Sequence, residues 1–182
     1  MRAPTDATKL RRLLEDLGAA SRGGGSIYVV GGGSAVLYGW RPTTIDVDLK
    51  LDPEPKGIFE AIQHLKNAHD INIELAAPDQ FIPPLPGWRE RSVFIGRFGE
   101  VDFYHFDFYG QALAKIERGH ERDLADVDAM ARLGLIEPER LRELHVVIEP
   151  QLVRYPGVDP NAFRAKVNET VARIERVLRS GT

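Results

Sequence analysis

The chain has 182 residues, 43% of them hydrophobic, which is enough apolar material for a core without covalent cross-links. It contains no cysteine, so disulfide scaffolds, thiolate metal centres and cysteine nucleophiles are excluded. Its 24 basic and 27 acidic residues give a net charge of −3, which argues against a strong non-specific grip on nucleic acid. No segment has the apolar length of a secretion signal or a membrane span, so we expect a cytoplasmic protein.

The first 110 residues mix helical and strand patterns. Apolar residues recur at helical spacing and predict helices over 6–20, 35–39 and 57–67. Short β-branched or alternating segments predict strands over 26–30, 45–51, 71–75, 92–98 and 101–108. The last two strands flank a Gly-Glu pair, so we expect a hairpin there, whereas the proline-rich segment 78–89 predicts a loop.

The remaining residues have helical patterns only. Apolar spacing predicts a helical stretch from Gln111 that Gly119 divides, and a long amphipathic helix over 162–178. The sequence therefore predicts an α/β (α+β) fold, with a mixed, twisted sheet of about five strands flanked by helices. We expect an α/β core over residues 1–110 and a helical half over residues 111–182 that packs on it.

A glycine-rich turn joins the strand 26–30 to the next helix. Its three glycines, Gly31 to Gly33, would let the backbone approach a polyphosphate closely, while the helix start offers unpaired N–H groups and Ser34 a hydroxyl. The turn lacks the Lys-Ser/Thr pair of a P-loop and the glycine spacing of a dinucleotide fingerprint. The alternative is a plain strand-to-helix turn in which Ser34 caps the helix.

Two aspartates share one face of the strand 45–51. Asp46 and Asp48 alternate with apolar residues, so their carboxylates point the same way and repel each other unless a cation lies between them. Oxygen ligands on a rigid strand suit Mg²⁺, which also bridges substrate phosphates. A third carboxylate would complete a two-metal arrangement for phosphoryl chemistry, with Asp102 as the first candidate and Glu74 as the second. The alternative for each of them is an ordinary solvent-facing strand position.

A third charged cluster lies in the predicted helices on either side of Gly119. Lys115 and Arg118 are one helical turn apart and could neutralise a triphosphate, and Asp126 could orient a cation or act as a base. The alternative is a set of solvated ion pairs on helix surfaces, which contribute little to stability.

The segments VVGGGSAVLYGWRPTTIDVDL (29–49) and KIERGHERDLADVDAM (115–130) together resemble the polymerase-β-like nucleotidyltransferase superfamily. Within it, they are most similar to the small bacterial branch related to the abortive-infection toxins of toxin–antitoxin systems. The resemblance implies bound Mg²⁺ or Mn²⁺ and an NTP substrate, with the third carboxylate open between Asp102 and Glu74. The site residues fall into three groups: Asp46, Asp48 and Asp102 for metal binding; Gly32, Gly33, Ser34, Arg41, Lys115 and Arg118 for nucleotide binding; and Asp46, Asp48, Asp102, Lys115 and Asp126 for catalysis.

The activity that this resemblance implies is transfer of a nucleoside monophosphate from an NTP to an acceptor, with release of pyrophosphate. The acceptor would be a tRNA or other RNA, a protein hydroxyl or a small molecule, and a toxin-like member would have an antitoxin-like protein partner. One alternative is a catalytically silent nucleotide-binding or scaffold protein. Another is a metal-dependent hydrolase that uses His105 and His120 with Asp102 or Asp107, since His105 and Asp107 share one face of the predicted strand 101–108.

Overall fold

The computed structural model describes residues 3–180, which form two compact units. Of the described residues, the first unit contains 3–77 and Ser92–Phe106, and the second contains Pro78–Arg91 and 107–180. The strands that the structure describes all belong to the first unit, and the second unit is helical. No helix within the described residues is long and apolar enough to cross a membrane.

A mixed five-stranded sheet forms the centre of the first unit, which confirms the predicted fold class. Its strands are β1 (Gly25–Val30), β2 (Asp46–Leu51), β3 (Asn72–Glu74), β4 (Val93–Phe98) and β5 (Val101–His105). They lie in the order β3-β2-β1-β5-β4, with β2 antiparallel and β5 parallel to β1. Strand β3 is parallel to β2, and β4 and β5 form the expected antiparallel hairpin.

Three helices of the first unit pack on one face of this sheet. They are α1 (Ala7–Ala20), α2 (Gly31–Tyr38) and α3 (Ile58–Ala68). Helix α1 begins after Asp6, whose side chain accepts a hydrogen bond from the Lys9 N–H group at 2.8 Å. The buried leucines of α1 form one core with Ile27, Val29 and Val47 of the sheet. One face of the sheet therefore points to the helices, and the other carries the side chains that alternate with the core residues.

The second unit is built from helices and short 3₁₀ turns. Its helices are α4 (Trp88–Arg91), α5 (Phe108–Arg118), α6 (Glu121–Arg132), α7 (Pro138–Ile148) and α8 (Pro160–Ser180). Gly119, with a left-handed φ of 72°, ends α5 and separates it from α6 as predicted. Helices α7 and α8 meet at His145 and Phe163, whose rings lie edge to face with centroids 4.7 Å apart.

Two of the element boundaries that differ from the prediction bear on the candidate site residues. The helix after β1 begins at Gly31 instead of residue 35, so the glycines form its first turn and Ser34 is not its cap. Strand β5 ends at His105 instead of residue 108, because Asp107 caps α5 by accepting a hydrogen bond from the Tyr109 N–H group at 3.2 Å. The expectation that His105 and Asp107 share a strand face is therefore wrong.

Candidate functional site

Asp46 and Asp48 lie on the face of β2 that points away from the core. Val47 and Leu49, which alternate with them, are almost completely buried in the core. The strand therefore holds both carboxylates on the opposite side of the sheet, where Asp46 is exposed and Asp48 half-buried. This is the shared face that the alternating pattern predicts.

Strand β3 brings a third carboxylate to the same face. In the parallel register of β2 and β3, Asp46 pairs with Asn72, and Asp48 pairs with Glu74. The Asn72 Nδ2 group donates hydrogen bonds to Asp46 Oδ1 at 2.7 Å and to Glu74 Oε1 at 3.1 Å. Asn72 thus holds two of the three carboxylates, and it is a residue that the sequence analysis missed.

Asp102, the other candidate for the third carboxylate, lies elsewhere on the sheet. Its partner on β1 is Ser26, whereas the β1 partner of Asp48 is Val30. The four-residue offset along β1 corresponds to roughly 13 Å, in addition to the separation across the strands. Asp102 instead forms an ion pair with Arg97 at 3.0 Å. The structure therefore brings Glu74, and not Asp102, next to Asp48.

The start of α2 lies against this acidic face. Gly31 has a left-handed φ of 58°, and a Cβ atom there would be 3.1 Å from Asp48 Oδ2. A Cβ atom on Gly32 would lie only 2.2 Å from Thr44 Oγ1, so the helix start approaches β2 more closely than a side chain would permit. Val30, the residue before this helix, makes no side-chain capping hydrogen bond. The first turn of α2 and the Asp48 carboxylate are thus direct neighbours.

Ser34, which the resemblance assigns to nucleotide binding, is fully buried inside the first unit. Its hydroxyl donates to the Val29 main-chain oxygen at 2.8 Å. Because that hydroxyl has a single proton, His105 Nδ1, which lies 3.1 Å away, donates to Ser34 Oγ. Burial, with a smaller effect from Arg11, lowers the pKa of His105 to about 4, so the imidazole is neutral at pH 7. The two hydrogen bonds of Ser34 thereby connect α2 to β1 through Val29 and to β5 through His105.

Thr44 sets the start of β2. Its hydroxyl donates to the Asp46 main-chain oxygen at 2.9 Å, and its main chain pairs with that of Thr5 through hydrogen bonds of 2.7 and 3.0 Å. Thr44 is not among the predicted site residues. A threonine two residues before the first aspartate is nevertheless in position for such a local hydrogen bond, which the sequence could have indicated. Arg41, assigned to nucleotide binding, lies half-buried in the preceding loop, where its main-chain N–H donates to the Ala35 oxygen at 3.3 Å.

The acidic face fits a hard divalent cation by the chemistry of its donors. Asp46 and Asp48 supply carboxylate oxygens from one face of a strand, and Mg²⁺ is usually bound by one or two carboxylates together with water and substrate phosphates. Within residues 3–180, no group of three or more His, Asp or Glu side chains converges closely enough to hold an ion by itself. Two carboxylates on one strand are compatible with a coordination sphere of this partly open kind.

In the second unit, Lys115, Arg118, Asp123 and Asp126 form one charge cluster. Lys115 Nζ lies 2.7 Å from Asp126 Oδ2 and 3.1 Å from Asp123 Oδ1. Arg118 also contacts Asp123, at 2.9 Å. Lys115 and Asp126 are 5% and 2% exposed, so the alternative of solvated surface pairs is wrong for them. The cluster joins α5 to α6 across the Gly119 break.

The side chains considered for a hydrolase do not form a metal site in the described part of the chain. Asp107 is buried and forms a two-contact ion pair with Arg91, at 2.7 and 3.1 Å, besides capping α5. His120 is exposed at the start of α6, and His105 is hydrogen-bonded to Ser34. Asp107, His105 and His120 therefore lie in three different environments, and each of the two buried side chains has a different bonding partner.

Comparison with known proteins gives one family. Residues 8–170 match the model of a family described as nucleotidyltransferase of unknown function (DUF6036). Comparisons with curated proteins and with solved structures give no significant match. The matched range includes the first turn of α2, the Asp46–Asp48 strand and the Lys115 cluster. Because the match extends over most of the chain, the protein belongs to this nucleotidyltransferase family.

Proposed function

We propose that the protein transfers a nucleoside monophosphate from an NTP to an acceptor hydroxyl in a reaction that depends on Mg²⁺ or Mn²⁺. One observation carries the proposal: Asp46, Asp48 and Glu74 lie on one face of two paired strands, against the first turn of α2. Membership of a nucleotidyltransferase family supports nucleotidyl transfer as the type of chemistry. We assign the cation to Asp46 and Asp48, and we assign the role of the third carboxylate to Glu74.

The first turn of α2 is the proposed phosphate-binding element. A helix start attracts anions through the N–H groups of its first turn and the positive end of its dipole, and the glycines allow a phosphate to come close. Asp48 lies beside Gly31, so a bound phosphate would be next to a carboxylate. Two negative groups at this separation require a cation between them. When bound, Mg²⁺ would supply that charge and act as a Lewis acid on the phosphate.

In the proposed reaction, the acceptor oxygen forms a bond to the α-phosphorus while the bond to the bridging oxygen of the β-phosphate breaks, and pyrophosphate leaves. Glu74 accepts the proton of the acceptor hydroxyl. Asn72 keeps Glu74 and Asp46 oriented through its two hydrogen bonds, and Thr44 fixes the main chain of Asp46. The chain's contribution is thus positioning and charge compensation.

The proposed acceptor is an RNA such as tRNA, a protein or a small molecule, and these classes come from the resemblance to the superfamily. A toxin-like role with an antitoxin-like partner has the same origin. Lys115 and Asp126, which the same resemblance assigns to catalysis, pair with each other at 2.7 Å inside the second unit.

The test is a label-transfer assay with purified protein, each α-labelled NTP, Mg²⁺, and total cellular RNA or protein as acceptor. We expect transfer by the unmodified chain and its loss in Asp48→Asn. Glu100→Gln is the matched control, because it makes the same carboxylate-to-amide change at an exposed residue of the β4–β5 turn. Melting temperatures of all three proteins check the fold.

Two outcomes would overturn the proposal. Full transfer by Asp48→Asn would show that the acidic face takes no part in the reaction. Stabilisation of the fold by NTP without transfer to any acceptor would favour the catalytically silent protein, since ligand that binds only the native state raises the melting temperature.

A further inference from the structure

A cavity of about 300 Å³ opens on the helix-covered side of the sheet in the first unit. This size is at the lower end of the range for small-molecule sites. Helices α1 and α2 and strands β4 and β5 contribute its walls. The residues that line it are Arg11, Leu37, Tyr38, Val93, Phe94, Ile95 and His105. Asp46 and Asp48 lie on the other face of the same sheet, so this cavity is separate from the acidic site.

The electrostatics of this cavity come from one cation. Arg11 lines it, and no carboxylate of the described residues does. His105 adds no charge at pH 7, because burial, with a smaller effect from Arg11, lowers its pKa to about 4. The guanidinium group presents paired N–H donors that match the two oxygens of a carboxylate. Arg11 is exposed on α1, so an anion in the cavity would gain a partly solvated charged partner that a neutral molecule of the same shape lacks.

Aliphatic and aromatic side chains supply most of the remaining walls. Leu37, Val93 and Ile95 present aliphatic side chains, and the Tyr38 ring lies edge to face on His105 with centroids 5.4 Å apart. Tyr38 is 41% and Val93 39% exposed, so a ligand would cover apolar surface that water now contacts. The His105 ring is anchored by its hydrogen bond to Ser34. These ring and aliphatic surfaces suit a flat apolar body.

We propose that this cavity is a binding site for a small organic carboxylate with a flat apolar body. The carboxylate pairs with Arg11, and the apolar body packs against Tyr38, Val93 and the neighbouring aliphatic side chains. The inference is independent of the proposed nucleotidyl transfer, because none of these residues belongs to the acidic face.

The test titrates the full chain with two probes of equal shape and different charge, 2-naphthoate and 2-naphthamide, followed by NMR. We expect 2-naphthoate to shift the signals of Tyr38 and His105 and to bind at least about tenfold more tightly than the amide, because only the acid forms a charge-assisted pair with Arg11. Equal affinities for the two probes would overturn the proposal, and so would the absence of binding by 2-naphthoate up to about 10 mM.

Two variants locate the site. Arg11→Gln should weaken 2-naphthoate at least about tenfold and leave 2-naphthamide unchanged. Arg12→Gln is the matched control, because Arg12 is the exposed neighbour on α1 and does not line the cavity. An equal loss in both variants would mean a non-specific charge effect and would contradict the proposed site. Label transfer is measured in parallel. The NMR titration then tests the cavity, and the transfer assay tests the proposed activity.

Discussion

Asp48 and Glu74 are register partners on the parallel strands β2 and β3, so their side chains leave the sheet on the same side. Neighbouring strands lie roughly 4.8 Å apart, so the two residues occupy adjacent positions on that face. The β1 partners of Asp48 and Asp102 are four residues apart, which excludes the same relationship for Asp102. A mutational comparison of Glu74 with Asp102 therefore tests the geometry of the proposed site directly.

Glu74→Gln should reduce label transfer at least about 100-fold, the usual contribution of a positioned acid–base group. Asp102→Asn should keep transfer within about twofold, because it removes only a partly exposed ion pair with Arg97. Initial rates at saturating NTP, with melting temperatures as the check on folding, distinguish the two. The opposite ranking would assign the third carboxylate to Asp102.

Gly31→Ala should lower both stability and transfer. Its φ of 58° is left-handed, which costs an alanine about 1–2 kcal/mol, and the new Cβ would lie 3.1 Å from Asp48 Oδ2. Gly134→Ala is the matched control, because its φ of 69° carries the same strain but nothing lies within 4 Å of the added atom. Urea unfolding should give similar losses for both variants, and the transfer assay should separate them. If Gly134→Ala lost transfer equally, backbone strain alone would explain the effect.

Lys115→Met should destabilise the fold by about 3 kcal/mol or more, because it leaves Asp123 and Asp126 buried with one cation fewer. Arg118→Gln should cost about 1 kcal/mol or less, since the Arg118 side chain is 44% exposed and solvent screens its pair with Asp123. Denaturant unfolding measures both losses. The double variant Lys115→Met/Asp126→Leu should recover part of the stability, and a double variant less stable than Lys115→Met would contradict the assignment of a paired buried charge.

Acidification should weaken the fold through His105. Its pKa of about 4 in the folded chain lies below the value of 6.5 in the unfolded chain, so between these pH values the unfolded state binds the extra proton. Stability is complete above pH 6.5 and falls as pH decreases towards 4, by on the order of 3 kcal/mol. His105→Gln should flatten this dependence in urea unfolding at a series of pH values. His64→Gln, at an exposed position on α3, should leave the slope unchanged, and a slope insensitive to His105→Gln would be evidence against the assignment.

The local features of the proposed site follow from the sequence. Strict alternation around Val47 places Asp46 and Asp48 on one face, because strand side chains repeat every two residues. Glycines after a buried strand predict a close helix start, although the helix begins at Gly31, four residues earlier than apolar spacing indicates. The break at Gly119 is equally local, since a glycine in the left-handed conformation is a common helix C-terminus.

Tertiary structure decided which distant residues meet. Glu74 and Asp102 both lie in alternating strands, and only the pairing of β3 with β2 brings Glu74 to Asp48. Lys115 is a surface-type residue by pattern, yet the packing of α5 against α6 buries it between two carboxylates. The Arg11 cavity likewise exists only because elements far apart in sequence enclose it. Strand order, register and helix packing depend on interactions between segments, which periodicity within one segment does not encode.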